Sequence, residues 1–255
     1  MNWFIKILIN KIPRTQLIFW SRIFRPVIDL YYRGTKFEDP INNKLYRKFL
    51  PYGYVNQRIN ALSPGTLSLE RHRLLWLYLK NKTDFFNPNL KILHIAPEQA
   101  FFKFLKSVNN KNYITFDLNS PLADIKGDIC AMPFEDNFFD FILCNHVLEH
   151  IVDDTKAMKE LYRVLKRKGT AILQVPINVG RDKTFEDNNI TTKKERIEKF
   201  GQYDHVREYG LDYYRKLENI GFSVEKNNYA SKFNKNDINK YGIVRDEIIP
   251  ICKKN

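Results

Sequence analysis

The sequence predicts an α/β fold, with a doubly wound, mostly parallel sheet and a helical N-terminal extension. Between residues 90 and 175, short apolar runs alternate with amphipathic segments, as in a chain that passes between strands and helices. The apolar runs are nearly continuous, which is typical of strands that helices cover on both faces. Acidic residues follow several runs, at the sheet edge where open α/β folds bind ligands.

The composition suits a globular protein. With 44% hydrophobic and 28% charged residues, the chain has material for a sizeable core and is not a disordered or fibrous protein. Cys130, Cys144 and Cys252 cannot form a disulfide framework and lack the spacing of metal ligands, so we predict a cytoplasmic protein without a metal site. No apolar run reaches the roughly 18 residues that a membrane-spanning helix needs.

The net charge of +13 is unevenly distributed. Residues 1–87 carry fifteen Lys and Arg against five Asp and Glu, whereas residues 88–177 carry eleven of each. A domain that binds a nucleic-acid backbone would be expected to carry the excess itself, so the central segment favours a smaller ligand. The basic N-terminal part leaves RNA binding open as an alternative.

Residues 1–34 mix bulky apolar side chains with Lys and Arg, and Pro13 and Pro26 predict a division into two short amphipathic helices. Such helices bind an anionic membrane interface or pack on their own domain, and the sequence leaves both open. Because Lys6 and Lys11 interrupt the apolar stretch, we expect the segment to be retained rather than removed as a signal peptide.

Residues 35–87 are predicted to form a small subdomain of loops and short strands that ends in a helix over Ser68–Leu79. Next, the chain should form a strand, a turn and a helix, and then further strands. The predicted strands are Leu90–Ile95, Tyr113–Asp117, Phe141–Asn145 and Thr170–Val175. A helix is predicted over Asp153–Leu165, with Gly169 as its stop.

Glu98, Asp117 and Asp128 all fall beyond predicted strand ends. Asp117 follows Glu98 by 19 residues, close to the spacing at which an acid that ends a second strand accepts hydrogen bonds from ribose hydroxyls. A carboxylate only accepts hydrogen bonds, as a vicinal diol requires. The alternative is that Asp117 only caps the end of its strand and binds no ribose.

Two motifs carry a resemblance to a known family. Gly127–Asp140 reads GDICAMPFEDNFFD, and Asn145–His150 reads NHVLEH. Both resemble signatures of the class I S-adenosylmethionine-dependent methyltransferases, in the branch called type 11. The resemblance implies a Rossmann-like methyltransferase domain over residues 88–255, with Phe222–Tyr229 and Glu247–Lys253 as antiparallel last strands, and S-adenosyl-L-methionine as the cofactor.

The resemblance also implies residue roles. Asp117, with Leu118 beside it, would hold the ribose; Asp128 and Ile129 would contact the adenine. Asn145 and His146 would line the pocket near the reactive methyl group.

The glycine-rich turn of this family would fall at residues 94–100, which read HIAPEQA. His94 stands where an acid is expected, Ala96 replaces a glycine, and Pro97 has no backbone N–H. The sequence LHIAPE resembles a variant turn of a bacterial subgroup, in which Glu98 would help to hold the positively charged methionine end. We therefore count all four residues as cofactor-binding and expect cofactor affinity to be the property most affected.

Two further departures have structural consequences. Only ten residues separate Asp117 from Asp128, which predicts a shortened crossover. Similar proteins of the subgroup would carry a zinc knuckle before the helix at Ser68, but the corresponding positions here are a poor zinc site, so we expect a knuckle without metal. Those positions are Asp39, Asn42, Ser63 and Thr66.

Residues 177–210 are predicted to form a lid insertion. Phe200–Asp212 resembles a substrate-side signature of the same subgroup, and it contains His205 and Arg207. His205 suits a general base and Arg207 a clamp for a carboxylate or phosphate, but both residues would serve equally well as anchors of the lid. His146 is the other candidate base.

Three functions remain open at this point. The first is O-methylation of a small-molecule, saccharide or lipid-linked acceptor, by a protein attached peripherally to the inner membrane face. The second is RNA methylation, and the third is a catalytically inactive cofactor-binding scaffold. No Asn/Asp-Pro-Pro-aromatic motif follows the Phe141–Asn145 strand, which argues against amino-methylation of a nucleic-acid base.

Overall fold

The computed structural model describes residues 14–53, 57–108 and 111–255, and these divide into two units. The first contains the described residues up to Tyr78 together with Ala230–Asp246, and the second contains Leu79–Tyr229 and Glu247–Asn255. The sequence predicts a continuous domain from residue 88 to residue 255; in the structure, residues 230–246 leave that domain and belong to the first unit.

The helices of the described residues are α1 (Arg14–Tyr31), α2 (Glu70–Lys82), α3 (Gln99–Val108), α4 (Asp154–Val164), α5 (Lys193–Phe200), α6 (Tyr213–Ile220) and α7 (Lys235–Tyr241). The strands are β1 (Arg33–Asp39), β2 (Lys44–Tyr46), β3 (Leu50–Tyr52), β4 (Arg58–Leu62), β5 (Ile92–Ile95), β6 (Tyr113–Asp117), β7 (Ile125–Lys126), β8 (Phe139–Asn145), β9 (Leu165–Gln174), β10 (Phe185–Glu186), β11 (Arg207–Glu208), β12 (Phe222–Asn227) and β13 (Ile249–Lys254). Short 3₁₀ helices span Leu148–His150 and Tyr229–Lys232.

Seven strands of the second unit form one sheet, in the order β12-β13-β9-β8-β5-β6-β7. The strands from β9 to β7 are parallel, whereas β13 and β12 are antiparallel to their neighbours. This topology confirms the predicted α/β class and the antiparallel last strands. Residues 118–124, which the structure describes throughout, connect β6 to β7 without a helix, as the short spacing predicts.

The structure corrects two predictions about helix ends. Pro26 does not divide the N-terminal segment, because α1 continues through it; Pro26 is exposed, on a side where water can bind a carbonyl that loses its helical partner. Residues 1–13 lie outside the described residues, so the predicted helix before Pro13 is not described. Gly169 does not stop α4 either: Leu165 is already extended and begins β9 directly.

The four positions that correspond to a zinc knuckle lie in the first unit, and hydrogen bonds connect three of them, Asp39, Ser63 and Thr66. The buried Asp39 carboxylate accepts from the Thr66 hydroxyl, from the Ser68 hydroxyl at 3.1 Å and from the Ile41 N–H at 3.0 Å. Asn42 donates to the Tyr46 hydroxyl at 2.9 Å. Hydrogen bonds to Asp39 therefore connect β1 with the Ser63–Ser68 turn.

Arg73 of α2 is fully buried in the first unit. Its guanidinium donates to the carbonyl oxygens of Ser68, Tyr241 and Gly242, each at 2.6 Å, and lies 4.4 Å from the Phe49 ring centre. Burial lowers the pKa of Arg73 to about 10, so the side chain is still charged at neutral pH. This one side chain connects three separate segments of the unit.

Candidate active site

The carboxyl ends of β5, β6 and β8 lie side by side, with β5 in the middle. Ile95 pairs with Phe116 of β6 and with Cys144 of β8, and all three strands are parallel. The next residues, Ala96, Asp117 and Asn145, therefore emerge together at one edge of the sheet. The structure thus brings together three predicted groups of site residues.

The turn after β5 keeps a glycine-like backbone although it contains no glycine. Ala96 has a φ of 48°, in the left-handed region that favours glycine, and its N–H donates to the Phe116 carbonyl at 2.9 Å. Pro97 and Glu98 follow, and α3 begins at Gln99. The replacement of the glycines therefore does not change the sharp bend that brings the N-terminus of α3 to the sheet edge.

The buried His94 pairs with the partly exposed Glu98 beneath this turn. The Tyr113 hydroxyl, whose pKa burial raises well above its usual value, keeps its proton and donates to His94 Nδ1 at 2.6 Å. His94 Nε2 then donates to the Glu98 carboxylate, and Asn145 Nδ2 donates to the other carboxylate oxygen at 3.1 Å. His94, where an acid was expected, thus positions an acid four residues later.

Asp117 ends β6 with its carboxylate held in place. Oδ1 accepts from the backbone N–H groups of Asn119 at 2.7 Å and Ser120 at 2.5 Å, so neither of these hydrogen bonds uses Oδ2. Leu118 beside it is 62% exposed, an unusual environment for a large apolar side chain. A fixed acceptor next to an open apolar surface suits a sugar diol and the base attached to it.

Asp128 and Ile129 follow β7, next to β6 in the sheet. Asp128 is exposed and its Oδ1 accepts from the Cys130 N–H at 2.8 Å, whereas Ile129 is buried. Gly127 lies against the Phe116 ring so closely that a Cβ atom would be 2.7 Å from it. The glycine of the predicted motif is thus required by packing.

Asn145 ends β8 and His146 follows it, and each has a buried polar atom without a partner among the described residues. These atoms are Asn145 Oδ1 and His146 Nε2. His146 has a φ of 55°, and its Nδ1 lies 3.4 Å from Oε1 of the buried Glu149. Because unsatisfied buried polar atoms are costly, these two indicate a ligand or a reacting group at this position.

The structure gives Arg207 of the lid an anchoring role. The side chain is 3% exposed, and its guanidinium donates to the Leu148 carbonyl at 3.0 Å, the Val152 carbonyl at 2.9 Å and Glu186 at 2.9 Å. It also donates to the Ile151 carbonyl. Arg207 therefore holds the loop after β8, which is the anchoring role that the sequence left open beside that of a clamp for an acceptor.

His205 lies against this same loop. Its Nδ1 donates to the Phe200 carbonyl at 3.1 Å, and its ring contacts His150 edge to face. Burial is the main cause that lowers the pKa of His205 below its usual value. The predictions that His205 and His146 act as bases remain open. The two side chains differ in their surroundings, because His146 lies beside the Glu149 carboxylate and His205 packs on His150.

Sequence reasoning missed Glu149 and Tyr113. Glu149 follows His146 by three residues in the NHVLEH motif. It reaches His146 because a 3₁₀ helix begins at Leu148, and the motif alone does not reveal that helix. Tyr113 begins β6 and looks like an ordinary core residue until the register of β5 and β6 is known.

A family profile described as "Methyltransferase domain" matches residues 86–173, which contain β5, β6, β8, most of β9 and every residue described above at the sheet edge. This segment is a class I methyltransferase domain. Its cofactor is S-adenosylmethionine.

Curated relatives of the methyltransferase domain include an uncharacterized protein, MJ0638, from Methanocaldococcus jannaschii, which is 37% identical over 52% of this chain and 60% of its own length. A ubiquinone/menaquinone biosynthesis C-methyltransferase, UbiE, from Ruegeria sp. is 27% identical over 39% of this chain and 48% of its own length. The chain thus spans about half to three fifths of these relatives.

Among solved structures, the [4+2]-cyclase SpnF has a fold similar to that of this chain. Its TM-score is 0.50 at 13% identity, and the match covers 92% of this chain and 95% of the other. At this identity, the likeness supports the fold alone.

The residues at the sheet edge fit S-adenosylmethionine. Asp117 Oδ2 can accept from the ribose, and the Glu98 carboxylate carries a negative charge for the cationic methionine end. The unpartnered Asn145 Oδ1 offers an acceptor close to Glu98. The methyltransferase domain thus provides suitable groups for both ends of the cofactor despite its glycine-poor turn.

We expect Asp117→Asn to weaken S-adenosylmethionine binding by roughly 10- to 100-fold, the loss of a charge-assisted hydrogen bond. The amide oxygen can still hold the turn, but the group at Oδ2 becomes a donor facing the sugar hydroxyls. Calorimetric titration of the full chain measures the effect. Asp84→Asn is a matched control, because Asp84 is exposed and precedes β5 at the opposite edge of the sheet. If both variants and the wild type bound S-adenosylmethionine with equal affinity, Asp117 would not be a cofactor-binding residue.

Proposed function

We propose that the chain is an S-adenosylmethionine-dependent O-methyltransferase that acts on a hydroxyl group of a small-molecule, saccharide or lipid-linked acceptor. One observation carries the proposal: His146 has an unpartnered Nε2 at the sheet edge, and Glu149 lies 3.4 Å from its Nδ1. This is the arrangement of a general base with an orienting carboxylate behind it.

The chemistry explains why a base favours a hydroxyl oxygen over a neutral amine as the acceptor atom. The cofactor supplies an activated methyl group, so the protein mainly has to align the acceptor with it. A hydroxyl group must also lose a proton during the transfer, whereas a neutral amine attacks without prior deprotonation. His146 would accept that proton at Nε2, and Glu149 would stabilise the imidazolium that forms.

The acceptor atom and the acceptor class can be tested together. The full chain is incubated with ¹³C-methyl S-adenosylmethionine and with separate small-molecule, lipid-linked glycan and RNA fractions from the source cells. Carbon NMR of the products separates O-methyl from N-methyl and C-methyl groups. We expect an O-methyl signal in one of the first two fractions. A C-methyl product, as the name of the UbiE relative describes, or label in RNA alone would contradict the proposal.

We also propose that α1 attaches the protein peripherally to an anionic membrane surface at the cytoplasmic face. Along the helix, apolar side chains at helical spacing are 39–73% exposed. They are Phe19, Trp20, Ile23, Phe24, Val27, Ile28, Leu30 and Tyr31. No helix in the described ranges is both long enough and apolar enough to cross a membrane.

The charge of this segment favours an anionic surface. The helix contains three Arg and one acid, Asp29. Asp29 is buried and paired with Lys44 at 2.7 Å and Arg33 at 3.2 Å, so its charge is already balanced within the first unit. Exposed aromatic residues with surplus basic residues are typical of interfacial helices.

We expect Phe24→Glu to reduce binding to vesicles of mixed neutral and anionic lipid by about tenfold or more, because it removes the insertion of a large apolar side chain. Co-sedimentation with the full chain measures the loss. Ile59→Glu is the matched control, since Ile59 is 82% exposed but lies in β4. Equal binding of the two variants would refute the attachment, and so would steeply salt-dependent retention of RNA without vesicle binding.

A further inference from the structure

Glu149, His150 and His205 form a cluster between the loop after β8 and the lid. Each offers a ligand atom, and these atoms lie within 4.8 Å of one another. We propose that this cluster binds one divalent transition-metal ion, of which Zn²⁺ is the best-suited example. Two imidazoles and one carboxylate are a common donor set for such ions.

The two histidines are already oriented as metal ligands usually are. His150 Nδ1 lies 3.2 Å from the Asp204 carbonyl oxygen, and His205 Nδ1 lies 3.1 Å from that of Phe200. A carbonyl oxygen only accepts, so each Nδ1 carries the proton and each Nε2 keeps a lone pair. Metal-binding histidines are typically fixed by such a hydrogen bond from the other ring nitrogen.

Glu149 gives an independent indication of a ligand. The residue is 2% exposed, and its Oε2 has no hydrogen-bond partner among the described residues, while Oε1 faces His146. A buried carboxylate oxygen without a partner is costly, and a cation between Glu149 and the two imidazoles would remove that cost.

The surrounding charges are compatible with a cation. A second carboxylate, that of Asp204, lies 3.6 Å from His150 Nδ1. The Arg207 guanidinium is bound to Glu186 at 2.9 Å and to carbonyl groups of the loop, so its charge is already paired. Around a tetrahedral Zn²⁺, ligand atoms are about 3.4 Å apart, so a small inward rotation of the side chains would complete the site.

The ion would join the lid to the loop that carries His146. Both segments already touch, because the Val206 N–H donates to the Glu149 carbonyl at 2.9 Å. A metal bound to Glu149, His150 and His205 would fix His205 in that arrangement and would leave a coordination position open. Metal binding at this cluster does not require methyl transfer and is measured directly.

The test uses the tag-free full chain, stripped with a chelator and dialysed. We expect calorimetry to show one Zn²⁺ per chain, and Co²⁺ to give the visible absorption of a low-coordinate site. His150→Gln and His205→Gln should each weaken Zn²⁺ binding by at least about tenfold. His72→Gln, which changes a histidine of the first unit, should bind as the wild type does.

A second measurement keeps the proposal falsifiable if a variant folds poorly. In the wild type, Zn²⁺ should slow trypsin cleavage at Lys193 and Lys194 of α5, because the lid becomes fixed. Absence of saturable Zn²⁺ binding in the wild type would overturn the proposal. So would equal affinities of the two site variants and the His72 control, or cleavage that Zn²⁺ does not change.

Discussion

His146→Asn is expected to lower the rate of methyl transfer by about 10²- to 10⁴-fold, the usual contribution of a general base. Asn is chosen because His146 has a left-handed backbone, which Asn tolerates better than most residues. The change removes the ring nitrogen that would take the proton, and it leaves Glu98 and Asp117 in place for the cofactor. Steady-state rates with the identified acceptor measure the effect.

Two variants serve as controls for each other, because they should affect turnover and cofactor affinity differently. His146→Asn should reduce turnover with little effect on cofactor affinity, whereas Asp117→Asn should reduce cofactor affinity first. Glu149→Gln should give a smaller loss of turnover than His146→Asn, because Glu149 orients the base and does not accept the proton itself. Unchanged turnover in His146→Asn would exclude His146 as the base.

Arg73→Met should lower the free energy of unfolding of the first unit by about 3–5 kcal/mol, the usual cost of removing one partner from a buried charged network. The substitution leaves carbonyl groups of Ser68, Tyr241 and Gly242 without their donor and Asp39 without a nearby positive charge. Urea unfolding followed by tryptophan fluorescence measures the change.

Arg58→Met is the matched control for the stability prediction. Arg58 makes an ion pair with Glu70 at 2.8 Å, but its side chain is 48% exposed. Exposed pairs contribute about 0–1 kcal/mol, so this variant should unfold almost as the wild type does. Similar losses in the two variants would mean that burial of Arg73 is not what stabilises the unit.

The sequence predicts the sheet edge well because the relevant signals are local. Apolar runs locate β5, β6 and β8, and parallel pairing then necessarily places Ala96, Asp117 and Asn145 together. The lack of glycine in the turn suggested a weakened cofactor site. That effect on affinity stays a prediction. The structure shows that Ala96 adopts the left-handed backbone and that His94 supports Glu98, neither of which is visible in the residue types alone.

The lid is less predictable because its contacts are between segments far apart in sequence. Arg207 looks like an anion clamp until the carbonyl groups of Leu148, Ile151 and Val152 are seen around it. The closeness of His205 to Glu149 likewise depends on how the lid folds back on the loop after β8. The residue types of Arg207 and His205 suggest possible roles, but only their tertiary contacts show which groups they bind.

A crystal structure of the full chain with S-adenosylhomocysteine tests the central claim most directly. The account predicts both ribose hydroxyls within hydrogen-bonding distance of Asp117, the adenine beside Leu118 and Ile129, and the amino-acid end near Glu98 and Asn145. A nucleoside bound elsewhere, or an empty sheet edge at saturating concentration, would contradict it.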